Sequence, residues 1–62
     1  MNDIKQARLA AGLTQAAMSE VMEIPKRTIE DWESDKRQPP AYVKRFILNE
    51  LAAIASKNNQ EG

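Results

Sequence analysis

Apolar and small residues at Ile4, Ala7, Leu9 and Ala11 fall at helical spacing, and the run stops at Gly12, a common residue just past a helix end. Leu13 is then placed to fold back as the apolar contact that accompanies such a cap. Thr14 is a suitable N-cap for a second helix, whose apolar residues are Ala17, Met18, Val21 and Met22. Pro25 restarts the chain at the first position of a third helix, where the missing N–H is no loss. That helix runs to about Ser34 and turns Ile29 and Trp32 inward. Gln38-Pro39-Pro40 makes the next break, because a residue before proline avoids helical angles. A fourth helix follows from about Pro40 to Ala55 or Ser56. Val43, Ile47, Leu51 and Ile54 form its main stripe, with Phe46, Leu48, Ala52, Ala53 and Ala55 beside it. The boundaries predict one domain over residues 1–56 and a polar, frayed C-terminal tail over residues 57–62.

Only a short turn separates the second helix from the third, so the two must cross steeply, which is a helix-turn-helix arrangement. Glu23 sits in that turn and Asp35 just after the third helix, two places that often require left-handed backbone. Aspartate tolerates the conformation moderately well and glutamate poorly, with a penalty on the order of 1 kcal/mol for Glu23.

Composition narrows the function classes. The chain has 62 residues, no cysteine and no histidine. A chain of this size buries only about 60% of its unfolded surface, and disulfide and zinc staples are both ruled out. The commonest general base and the best thiol nucleophile are missing, and the carboxylates lie interleaved with Lys and Arg. Catalysis, a cofactor and a metal site are therefore not expected. No apolar run reaches the roughly 20 residues of a membrane span, and residues 1–4 lack signal-peptide character, so a cytoplasmic location is expected. Net charge is zero, but residues 26–45 hold six basic against four acidic side chains, a modest local excess.

Arg8, Gly12, Leu13, Thr14, Gln15, Met18, Glu20, Ile24, Thr28, Ile29, Trp32, Glu33, Lys36, Arg37 and Pro39 stand in register with a known pattern. On these residues the chain resembles the phage-repressor/Cro-type helix-turn-helix family. It departs from the pattern at Ser19, usually Ala there, and at Glu23 and Asp35, often Gly. The resemblance implies an all-α fold: a small compact bundle of four to five helices around a helix-turn-helix, the lambda-repressor-like DNA-binding domain. It further implies that Arg8 and Glu33 form a partly buried salt bridge between the first helix and the end of the third.

The resemblance makes the third helix the recognition helix, whose N-terminal residues enter the major groove. Arg27 then has the geometry for a bidentate pair with guanine, Lys26 reaches a base or a phosphate, and Thr28 meets a thymine methyl or a phosphate. Lys26–Glu30 and Arg27–Asp31 are also spaced as exposed i,i+4 ion pairs, worth a few tenths of a kcal/mol. Glu30 and Asp31 either accept from a cytosine amino group or point along the groove rim. Gln15, at the start of the second helix, is expected on a phosphate beside free backbone amides, or else supports the cap. Lys36 and Arg37, with Gln38, are expected along the sugar-phosphate backbone, and Tyr42, Lys44 and Arg45 are weaker candidates. Trp32 is expected in the core rather than as a base-stacking platform.

These readings converge on sequence-specific binding to double-stranded DNA by a prokaryotic or mobile-element transcriptional regulator, repressor or antitoxin-like. Its expected partners are DNA, a second copy through the C-terminal helix and, in the antitoxin case, a cognate toxin, with nucleoid association through DNA. The competing class is a protein-interaction module that keeps the fold without DNA binding, suggested by the zero net charge and by Glu30, Asp31 and Asp35.

Overall fold

A computed structural model describes residues 2–59, with side chains described through Lys57. Among the described residues there are four helices and no strand: α1 (Asp3–Ala10), α2 (Gln15–Met22), α3 (Lys26–Glu33) and α4 (Ala41–Asn59).

Each short helix is closed by local hydrogen bonds that the sequence supplies. Asn2 caps α1, its side chain accepting from the Lys5 amide at 2.9 Å. Thr14 caps α2 through the Ala17 amide at 3.0 Å. At the end of α1, Leu13 donates to the Arg8 carbonyl at 3.2 Å and Gly12 to the Leu9 carbonyl at 3.0 Å. This paired pattern needs a left-handed residue, and Gly12 supplies it at φ 75°. A Cβ at Gly12 would meet nothing within 4 Å, so the demand there is one of backbone angle and not of space.

Asp35 closes α3 by the same device: it lies at φ 64°, Lys36 donates to the Asp31 carbonyl at 2.9 Å, and Asp35 donates to that of Trp32 at 3.3 Å. Glu23 takes the left-handed position after α2, at φ 57° and ψ 43°. Pro25 stands one place earlier than the first helical position expected for it. It is the N-cap of α3, and its carbonyl receives the Thr28 and Ile29 amides at 3.0 and 3.2 Å.

The core is small and continuous. Ile4, Ala11, Met18, Ile29, Ile47 and Leu51 are buried, one or two from each segment, so no helix buries its apolar face without the others. Leu13, Met22, Ile24, Trp32, Val43, Leu48, Ile54 and Ala55 close around them, half-buried. Packing is mainly α1 against α4 and α2 against α3. Val21, among the apolar residues of α2, is exposed. The helix-turn-helix pair thus stands on a platform of first and last helices.

The fourth helix differs from its sequence outline. It continues through Asn59, past the expected end at Ala55 or Ser56, so the first part of the supposed tail is helical. Residues 60–62 lie outside the described residues. Part of the apolar surface of α4 is taken up by packing. Ile47 and Leu51 are consumed by the core, Leu48, Ile54 and Ala55 are half-buried, and Tyr42 and Phe46 stand out at 75% and 63% exposed. No helix of the described residues is long and apolar enough to cross a membrane.

Candidate nucleic-acid interface

α3 presents its chemistry through the alternation of one inward and several outward positions. Ile29 is fully buried and Trp32 half-buried against the core, which turns Lys26, Arg27 and Glu30 to solvent and leaves Thr28 and Asp31 at the flanks. The first amides of any helix lack intrahelical acceptors, and Pro25 offers no side-chain acceptor for them. Two cations, Lys26 and Arg27, therefore sit on the positive end of the helix dipole with open backbone donors beside them.

Neither cation is engaged in an ion pair among the described residues, so the i,i+4 pairs Lys26–Glu30 and Arg27–Asp31 are not formed. The carboxylates are drawn to opposite sides of the helix instead. Asp31, its side chain 19% exposed, lies 3.8 Å from Arg37. Glu30 lines a polar concavity with Lys5, Gln15 and Ser34. Lys26 and Arg27 are thus left without a carboxylate partner.

The far end of α3 is fixed by a charged cluster. Arg8 Nε donates to Glu33 Oε2 at 2.7 Å and its Nη2 to Oε1 at 3.1 Å, a bidentate pair whose side chains are 10% and 5% exposed. Arg8 Nη1 donates to the Leu13 carbonyl at 2.9 Å, so one guanidinium ties α1, the α1–α2 turn and α3 together. Gln15 joins the cluster, its Nε2 donating to Glu33 Oε1 at 3.2 Å. The side chain expected on a phosphate is therefore also a strut between α2 and α3. Its Nε2 carries a second hydrogen, and that one is available to an outside acceptor.

Beyond α3 the chain folds back so that Arg27, Thr28 and Asp31 on one wall face Arg37, Gln38 and Pro40 on the other across an open concavity. Lys36 and Arg37 are exposed, with both amides on the Asp31 carbonyl at 2.9 and 3.2 Å. Tyr42 and Arg45 are exposed on α4, while Lys44 is half-buried and 3.4 Å from Asp3. Among the described residues no group of three or more acidic, histidine or cysteine side chains is arranged to hold a metal.

Two contributors went unnoticed in the sequence. Asn2 caps α1, and its amide also reaches α3, donating to the Trp32 carbonyl at 2.8 Å and to Asp35 Oδ1 at 3.1 Å. Lys5, an ordinary exposed lysine in a pattern, lines the concavity next to Gln15. Asn2 pairs across 30 residues and Lys5 meets Glu30 and Ser34 only in the folded chain, so neither has a local signal.

Residues 4–43, more than half of the chain, match a family model described as helix-turn-helix. The match runs from α1 through α3 and into the start of α4. No curated protein and no solved structure matches the chain.

Proposed function

The chain belongs to the phage-repressor/Cro-type helix-turn-helix family, whose members are DNA-binding regulators, and from that premise we propose that it represses transcription by binding a specific duplex site. The observation that carries this reading is the state of α3. Its N-terminal cations are exposed and unpaired, while its C-terminal end is held by the Arg8–Glu33–Gln15 cluster. A rigid helix with open donors at its leading end suits insertion into a major groove.

Lys26, Arg27 and Thr28 enter the groove, with Arg27 on a guanine edge. Asp31 tunes base choice from the flank, and Glu30 lies toward the rim beside Lys5. Gln15 takes one phosphate with its free amide hydrogen, while Lys36 and Arg37 follow the backbone of the opposite strand, Arg37 leaving Asp31 as it does so. The role is occlusion of a promoter, with no chemistry and no cofactor. A second copy joins through the exposed Tyr42 and Phe46 face of α4, which makes the preferred site an inverted repeat.

The test is the dependence of affinity on salt for a random-sequence duplex. Phosphate contacts by the cations Lys36 and Arg37 in each domain predict that log affinity falls with log salt at a slope of about −0.9 per contact. Absence of binding at low salt would leave the fold as a protein-interaction module.

A further inference from the structure

We propose that Asn2 is a positioning residue for DNA binding: it fixes the segment that carries Lys36 and Arg37 against the end of α3. The proposal rests on the functional reading above and adds to it a part played by the N-terminus.

The Asn2 side chain has three partners, and they leave its amide only one orientation. Oδ1 accepts from the Lys5 amide at 2.9 Å, while Nδ2 donates to the Trp32 carbonyl at 2.8 Å and to Asp35 Oδ1 at 3.1 Å. Rotating the amide by half a turn would set oxygen against two acceptors and nitrogen against a donor. A single residue thus begins α1 and seals α3.

The contact falls at one of the two non-glycine residues with left-handed backbone among the described residues. Asp35 is left-handed at φ 64°, a position that glycine would occupy without penalty. Its carboxylate offers what glycine lacks, an acceptor for Asn2 Nδ2 and, at 3.4 Å, for Gln38 Nε2. The following residues are Lys36 and Arg37, whose amides share the Asp31 carbonyl. Asn2, Asp35 and Gln38 therefore bracket the two cations on both sides. Without the bracket, the cations would have to be ordered when DNA arrives, at a cost in affinity.

Capping and tethering can be separated by substitution. Asn2→Asp and Asn2→Ser both keep an oxygen for the Lys5 amide, and both residues are good N-caps. Aspartate loses the donor and sets a carboxylate against that of Asp35; serine is too short to reach α3. In Asn2→Asp combined with Asp35→Asn, donor and acceptor are exchanged and the link from residue 2 to residue 35 can re-form.

The experiment measures amide hydrogen exchange at Lys36 in the free protein, and the affinity and salt slope for duplex DNA, all well below the unfolding midpoint. For Asn2→Asp and Asn2→Ser we expect faster exchange at Lys36, affinity lower by roughly three- to tenfold, and a slope shallower by about one phosphate contact. The Asn2→Asp/Asp35→Asn pair should recover part of each. Unchanged exchange, or quickened exchange with unchanged affinity and slope, would overturn the proposal. If wild type bound no duplex while Lys36 exchange still quickened in Asn2→Asp, the tether would stand and the functional reading would fall.

Discussion

Ser19 and Ile24 bond to each other in both directions across the turn between α2 and α3. Ser19 Oγ donates to the Ile24 carbonyl at 2.6 Å, and the Ile24 amide donates to the Ser19 carbonyl at 3.2 Å. Glu23 lies inside this clamp, held left-handed at φ 57°. Two of the departures from the family pattern, Ser19 and Glu23, thus belong to one turn, where a hydroxyl supports a strained neighbour.

Glu23→Gly should raise stability by about 0.5–1 kcal/mol, because relief of the left-handed strain outweighs the entropy that glycine adds to the unfolded chain. Ser19→Ala should lower it by about 1 kcal/mol through the lost hydrogen bond. Denaturant midpoints of the two single variants and the double variant test the coupling. If the hydroxyl is needed mainly to hold Glu23, Ser19→Ala will cost less in the Glu23→Gly background.

Arg8→Ala should be among the most damaging polar substitutions, at about 3–5 kcal/mol, since it leaves Glu33 buried with only Gln15 as a side-chain partner. Glu33→Ala strands the guanidinium in the same way, although Arg8 keeps its bond to the Leu13 carbonyl. Lys57→Ala, on the exposed end of α4, should stay within about 0.5 kcal/mol of wild type. Equal midpoints for the Arg8, Glu33 and Lys57 variants would mean that the bridge contributes little in solution.

Phe46→Asp separates assembly from folding, because Phe46 is 63% exposed and outside the core. Its thermal midpoint should move by only a few degrees, while sedimentation across a concentration series should show a weaker dimer than wild type. A wild-type chain that stays monomeric at every concentration, with and without a half-site duplex, would remove the α4 interface from the account.

The parts of this fold that rest on short-range chemistry were readable in the chain. Gly12, Thr14 and the Gln38-Pro39-Pro40 break mark helix ends by rules of backbone angle and donor count, and each lies at or beside an element boundary. Ile29, Met18 and Ile47 follow from helical period. Arg8–Glu33 was readable only through the resemblance, since 25 residues separate the partners. Tethers at Asn2, the strut role of Gln15 and the Asp31–Arg37 pair depend on how helices meet, and no period or spacing carries that. For the same reason, α3 spacing alone favoured Arg27–Asp31, whereas the returning chain brings Arg37 to Asp31 instead. How much of the apolar surface of α4 is covered by α1 likewise has no signal in a count along one helix.

Specific duplex recognition led by Arg27 is tested most directly by a ratio of affinities. A duplex selected by wild type from a random library is compared with a scrambled duplex of the same length, for wild type, Arg27→Ala, Lys36→Ala and Arg37→Ala. Wild type should prefer the selected duplex by about 10³-fold or more, with inverted half-sites. Arg27→Ala should lose about 1–3 kcal/mol on the selected duplex and much less on the scrambled one. Lys36→Ala and Arg37→Ala should weaken both duplexes alike, leaving the ratio unchanged. A wild-type ratio near one, or one that Arg27→Ala leaves intact, would contradict the account.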